Sequence, residues 1–277
     1  MNASEITFGI EIETTMPAGS VQTGHHGEGI QVPWLPAGWL ADDDPSIRPR
    51  SGRIGCEFVS PILQGAEGLR QLVAVVAEIK RRGGSVNDSC GIHVHVGFNR
   101  HDTAALERLV SLVANHEKAI YAVTGTKNRE RGVGSRYGTC WCRSVKQYGN
   151  ARTALTHPSG PSHYRYNVVN LTSENPTAEF RAFSGSLNIT KVIGYVRICV
   201  GIAQKAIKSK RTAPFVSTRD RFRTATNEGQ CEVNRMLFNL KWSSRQAFGV
   251  IECPGVPTVN ACKKMMREMA KRYDRQP

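Results

Sequence analysis

Ile6-Thr7-Phe8-Gly9-Ile10-Glu11-Ile12-Glu13 alternates at period two. Ile6, Phe8, Ile10 and Ile12 point one way while Glu11 and Glu13 point the other, the pattern of a strand buried on its apolar face. Three later segments repeat it with ionisable groups on the polar side. Cys56-Glu57-Phe58-Val59 reads as a strand that Pro61 stops. Gly91-Ile92-His93-Val94-His95-Val96 sets both histidines opposite its aliphatic side chains. Thr177 to Phe183 sets Glu179 and Arg181 opposite Ala178, Phe180 and Ala182. Its expected partner is Tyr166 to Leu171, around the turn-prone Ser173-Glu174-Asn175-Pro176.

Between these strands the period changes. Leu69, Leu72, Val73, Val76 and Ile79 recur at helical spacing, and Gly83-Gly84 ends that helix. Asp102 or Thr103 caps a second helix bearing Leu106, Leu109, Val110, Val113 and Ile120. A third is expected over Lys191 to Lys208 and a last near Asn260 to Tyr273. The fold class is therefore α+β: an antiparallel sheet covered by helices on one side. Pro17–Gly52, with Trp34, Trp39 and the run Asp42 to Asp44, is too long for a simple connection and is expected to hold a hairpin or a lid. Gly125–Ser162 is Gly-, Arg- and Ser-rich and reads as a functional loop. Residues 1–277 read as one domain, with the motifs in 6–200 and 214–277 as a C-terminal extension without an assigned role.

Composition bounds the function. No repeat or low-complexity tract points to a solenoid or disordered scaffold. Lys plus Arg number 37 against 23 for Asp plus Glu, a formal charge of +14 that favours acidic partners such as nucleotides, acidic peptides or other polyanions. Nucleic acid is compatible with it but not required, and a basic surface with no specific partner fits the charge equally well. The densest clusters are Lys208, Lys210 and Arg211, then Arg219, Arg221 and Arg223. The eight cysteines do not form a secreted disulfide framework in a chain long enough to build its own core. Cys56 and Cys90 read as buried reduced thiols, and Cys140-Trp141-Cys142 has no second pair with which to hold zinc. The start of the chain does not read as a signal peptide, and Arg197, Gln204 and Lys205 interrupt the most apolar helix, so a cytoplasmic setting off the membrane is expected.

Four strands thus offer Glu11, Glu13, Glu57, His93, His95, Glu179 and Arg181 to one face. A single Glu on a strand is ordinarily a solvated face. Several carboxylates converging on a half-buried trough repel one another and stay ionised only with bound cations. Oxygen-rich donors with an imidazole suit Mg²⁺ or Mn²⁺ better than zinc, and a two-metal site flanked by an arginine suits phosphoryl transfer.

The same residues carry a family resemblance. Phe8 to Glu13, Cys56 to Pro61, Asn87 to Val96 and Thr177 to Arg181 resemble, in order, motifs of the amidoligase family, related to glutamine synthetase and the glutamate–cysteine ligases. Gly38-Trp39 through Asp44-Pro45-Ser46-Ile47 is similar to that family's tryptophan and Asp-Gly-Ser turn, with Pro45 in place of the glycine. The resemblance implies an incomplete, cone-like, glutamine-synthetase-like barrel with helices on its outer face. It implies ATP and two Mg²⁺ (or Mn²⁺) as cofactors, and joining of a carboxylate to an amine through an acyl phosphate. Glu13 and Glu57 would hold one metal, and Glu11, His93 and Glu179 the other. His95 would lie near the phosphates, with Arg181 on the transferred phosphoryl group, so that Glu57 and Arg181 are the catalytic candidates. Trp39, Asp44, Asn170 and Arg136 are substrate candidates, and Arg129, Arg131 and Arg136 are loop candidates for substrate or phosphate contact, with plain surface charge the other reading for each.

Two other classes stay open. A metal hydrolase or oxygenase would use the His93–His95 pair and one Glu, but needs neither four carboxylates nor Arg181. A basic nucleic-acid-binding protein with a vestigial site would explain the charge but not the inward acids.

Overall fold

The computed structural model describes residues 1–99, 101–131, 142–158, 160, 168–171, 177–216 and 227–277. Arg136, Cys140, Trp141, the Ser173–Pro176 turn, Arg219, Arg221 and Arg223 lie outside them. Its centre is β1 (Thr7–Pro17), flanked on one side by β3 (Arg53–Val59) and on the other by β5 (Gly91–Gly97). Outward from these lie β2 (Leu40–Asp42) next to β3, and β7 (Thr177–Ser184) then β6 (Val169–Asn170) beyond β5. The short β4 (Leu63–Gln64) pairs with the start of β1. All these ladders are antiparallel and the sheet is open.

The alternation of β1 places Ile6, Phe8, Ile10 and Ile12 in one apolar core with Phe58, Val94, Val96 and Phe180. Helices cover this face. α1 (Gly65–Arg81) contributes Leu69, Leu72, Val75, Val76 and Ile79 to it. It ends in a Schellman turn: Gly83 takes φ +81°, Gly84 N–H donates to Ile79 O at 2.9 Å and Gly83 N–H to Lys80 O at 3.1 Å. α2 (Thr103–Ala122) is capped by Asp102, whose carboxylate accepts from Ala105 N–H at 2.8 Å. α5 (Ile189–Lys208) is capped by Asn188 and packs on β5, while α2 packs on β7. No helix is long and apolar enough to cross a membrane among the described residues.

Two stretches with open readings are packed into the fold. Pro17–Gly52, read as a hairpin or a lid, folds onto the sheet edge: Gly24 and Ile30 bridge to β2, Ile30 antiparallel to Ala41, and Val32, Leu35 and Trp39 are buried in the core. The C-terminal stretch, read as an extension without an assigned role, joins the helical layer. α6 (Glu228–Asn239), unread in the sequence, packs on α2, and α7 (Val259–Asp274) packs on α5 and α6. Arg197, buried inside α5, donates to Ile251 O at 2.8 Å and Pro257 O at 2.5 Å, tying this segment to the helical layer. A buried guanidinium is tolerable only with such acceptors. Two short helices, α3 (Asn128–Arg131) and α4 (Ala151–Thr156), lie between α2 and β6 in sequence.

Candidate active site

The ladders set the polar side chains in rows. Asp42, Glu57 and Glu13 are consecutive partners across β2, β3 and β1. Glu11 opposes His93 across β1 and β5, and His95, Glu179 and Asn170 are consecutive partners across β5, β7 and β6. Strand pairing alone thus gathers residues far apart in sequence.

The contacts are close. His93 Nδ1 lies 2.7 Å from Glu11 Oε2, its Nε2 is 3.3 Å from Glu13 Oε1, and Glu179 Oε1 is 3.8 Å from Nδ1. His95 Nε2 is 2.9 Å from Glu11 Oε1. Glu13 also accepts from Gly91 N–H at 2.6 Å. Ligand atoms of Glu13, Asp44 and Glu57 lie within 4.8 Å of one another, as do those of Glu11, Glu57 and His93, and those of Glu11, His95 and Glu179. The structure therefore adds Asp44 beside Glu13 and Glu57, and sets His95 as close to Glu11 and Glu179 as a shared cation would require.

Electrostatics separate the carboxylates. Burial, then the charges of Glu11, Glu13, Asp44 and Asp42, push the Glu57 carboxyl well above its ordinary range. Burial would raise Glu11 too, but hydrogen bonds from His93 and His95 outweigh it and hold that carboxyl well below. Burial opposes a proton on His95, yet the Glu11 partner raises its affinity for one. The charge is thus balanced around Glu11 and unbalanced around Glu57, where a divalent ion gains most.

Two arginines close the trough. Arg181 pairs with Glu179 through its NH1, and its buried Nε has no hydrogen-bond partner among the described residues. Its charged form is favoured: burial works against it, but Glu179 and the other trough acids prevail. A bulge directs it. Ile92 pairs with Phe183 but Val94 with Phe180, so Arg181 and Ala182 together face His93. Phe180 and Phe183 can then both enter the core, where Phe183 stacks on Tyr195 at 4.3 Å, while Arg181 stays with the acids. Cys142 is buried with its thiol on the Arg181 carbonyl at 3.2 Å.

Arg129, read either as a loop contact to substrate or phosphate or as surface charge, is buried with NH2 3.8 Å from Glu13 Oε2. A Cβ at Gly91 would lie 2.0 Å from that NH2, so the guanidinium occupies space that a larger residue there would take from it. Trp39 does not face the trough. It is fully buried in the core and its indole N–H donates to Gln71 Oε1 at 2.8 Å, so it supports β2 rather than touching a substrate. Asn170 sits opposite Glu179 in the ladder.

A family model described as "Putative amidoligase enzyme" matches residues 37–203. This chain belongs to the amidoligase family. The match runs from β2 through most of α5 and takes in Asp44, Glu57, His93, His95, Glu179 and Arg181. Glu11 and Glu13 precede it in sequence, and β1 pairing brings them to the amidoligase trough. Among solved structures, a bifunctional glutathione synthetase from Pasteurella multocida is similar at a TM-score of 0.47 and 13% identity, over 97% of this chain and 47% of that one. The chain thus spans about half the length of that structure. No curated protein matches the sequence.

Proposed function

We propose that this amidoligase-family chain is an ATP-dependent carboxylate–amine ligase that works with two Mg²⁺ ions and an acyl-phosphate intermediate. The observation that carries this is the convergence of Glu11, Glu13, Asp44, Glu57 and Glu179 with His93 and His95 on one sheet face beside Arg181. The donor set fits the metals. Its oxygens are hard donors, and its excess charge sits at Glu57, where neutralisation is needed. Glu13, Asp44 and Glu57 would hold one ion, and Glu11 and Glu179 with His93 or His95 the other. When bound, Mg²⁺ would offset the charge of the carboxylates and of the phosphates. The partnerless Arg181 Nε fits an incoming phosphoryl oxygen.

A substrate carboxylate oxygen would attack the γ-phosphorus, and ADP would leave. The amine nitrogen would then attack the acyl carbon, expelling phosphate. Arg181 would stabilise charge on the transferred group, and Arg129 would hold Glu13 in place. The amine arrives as an ammonium and must lose protons, and the Glu57 end of the trough is the most carboxylate-rich place to receive it. Curvature of the open sheet into the incomplete barrel that the resemblance implies belongs to this reading, as do a cytoplasmic setting and a carboxylate carried on an acidic peptide or other polyanion.

The test is ATP cleavage with hydroxylamine as the amine, over a panel of carboxylic acids, with and without Mg²⁺. Hydroxamate formation with stoichiometric ADP, lost in Glu13→Gln, is expected. ATP binding that is indifferent to divalent ions, with no ADP release on any acid, would discard the proposal.

A further inference from the structure

We propose that His26, Asp42 and Glu57 form an additional cation site at the β2 edge of the trough, which takes a divalent transition metal of the Zn²⁺ or Co²⁺ class. One ligand atom from each lies within 4.8 Å of the other two. Asp42 and Glu57 are direct partners in the β2–β3 ladder, so their carboxylates stand side by side. Asp42 is buried, and its two oxygens differ. Oδ2 accepts from Gly27 N–H at 2.7 Å, whereas Oδ1 is buried with no hydrogen-bond partner among the described residues. A buried carboxylate oxygen without a donor is costly unless a cation meets it.

His26 comes from the turn that Asp42 fastens. Glu28 N–H closes that turn on His25 O at 2.7 Å, and Gly24 is bonded to Ala41 and Asp43 on either side of Asp42. The His26 ring is exposed, with Nδ1 3.2 Å from Asp43 O. A carbonyl only accepts, so Nδ1 is the donor in this contact, and in the neutral ring Nε2 is the nitrogen left to bind a metal. Metal-binding histidines have this outer hydrogen bond, which fixes tautomer and ring orientation.

The set at Glu11, Glu179 and His93 or His95 has the same composition, but nucleotide phosphates would complete a magnesium shell there. Without phosphate oxygens, one imidazole nitrogen and two carboxylates hold zinc-class ions more tightly than Mg²⁺, and three protein ligands leave a position open to water or substrate. Glu57 is shared with the trough, so occupancy here would alter the charge felt by the proposed magnesium sites. The rival occupant is a substrate ammonium held by Asp42 and Glu57, which has no use for a lone pair on His26.

The experiment titrates metal-free full-length protein with Co²⁺, read by visible absorption, and with Zn²⁺, read by calorimetry, in the absence of ATP. Omitting ATP keeps the outcome separate from that of the ligase assignment. His26→Ala should lose one equivalent of Co²⁺ with its nitrogen-ligated absorption, or weaken that equivalent by about tenfold or more. Because His26 is exposed, the metal-free melting temperature should not move. Its rise on adding Zn²⁺ should shrink. Asp42→Asn should lose the same equivalent. Unchanged stoichiometry and affinity in His26→Ala would overturn the proposal. So would an alkylammonium ion that binds wild type and His26→Ala alike and displaces no Co²⁺, and Asp42 with Glu57 would then belong to the amine.

Discussion

Glu57 stands directly across from Glu13 on one neighbouring strand and directly across from Asp42 on the other, so three carboxylates form one row over the sheet. Burial and these neighbours raise the Glu57 pKa well above its ordinary value of 4.5. The folded chain therefore holds a proton there more tightly than the unfolded chain does. Stability from this group is full below about 4.5 and is lost as pH rises through the raised folded value. Metal-free Glu57→Gln should accordingly melt higher than metal-free wild type, by a margin that widens as pH rises from 4.5 to neutrality. Mg²⁺ should stabilise wild type more than the variant. Melting curves in chelator and in Mg²⁺ across that range decide it, and a margin independent of pH would remove Glu57 as the uncompensated charge.

Arg181 offers a planar fork that a lysine cannot imitate. Arg181→Lys keeps a cation for buried Glu179, so the fold should survive. Its loss of directed donors to a phosphoryl group should lower turnover about a hundredfold. The steady-state rate of ADP release, checked against an unchanged melting temperature, reads this directly. Wild-type turnover in Arg181→Lys would reduce Arg181 to a point charge serving Glu179.

How much of this was legible depends on periodicity. Central strands buried on one face announce themselves, and Glu11, Glu13, Glu57, His93, His95, Glu179 and Arg181 follow from alternation alone. Short elements do not. β2 has only three residues, too few to show a period, so Asp42 reads only as part of an acidic run, and Asp44, just past it, stands out through the resemblance alone and as a substrate candidate. Arg129 sits on a single turn of helix, where no pattern separates a buried cation from a surface one. The β7 bulge shifts the alternation after Arg181, so Phe183 entered the core unforeseen. In α6 the buried apolar side chains are Val233, Met236 and Leu237, a stripe too sparse to stand out against Glu228, Glu232 and Arg235.

His116 supplies a pH dependence of the opposite sign. Burial in α2, then Arg235, Lys205 and Lys146, lower its pKa from 6.5 to about 3. The unfolded chain binds the proton more readily, so the stability is complete above about 6.5 and drains away as pH falls towards 3. Asn239 Nδ2 lies 3.4 Å from its Nε2, which makes His116→Gln the gentlest uncharged replacement. That variant should lose less stability than wild type between pH 6.5 and 3, whatever its stability at neutral pH. Urea midpoints of both proteins, compared pH by pH, test it. Parallel curves would mean that His116 protonates in the fold without penalty.

The net charge of +14 bears on what the proposed ligase would act upon. A small amino acid gains little from a strongly basic surface, whereas an acidic peptide or other polyanion gains encounter rate and orientation. The trough itself is acidic, so any such attraction must come from cations outside it. Lys208 ends α5 and Lys210 and Arg211 follow it, all three exposed, with half-buried Lys205 one turn before them. Interactions among exposed charges are screened beyond about 10 Å at 0.1 M salt. With ATP and Mg²⁺ saturating, kcat/KM for a polyanionic carboxylate should therefore fall steeply with added salt, while kcat changes little. Replacing Lys208, Lys210 and Arg211 together by glutamine should flatten that salt dependence and lower kcat/KM at low salt by up to about tenfold. A flat salt profile in wild type, on a carboxylate that turns over well, would detach the basic surface from catalysis and point to a small neutral or zwitterionic substrate.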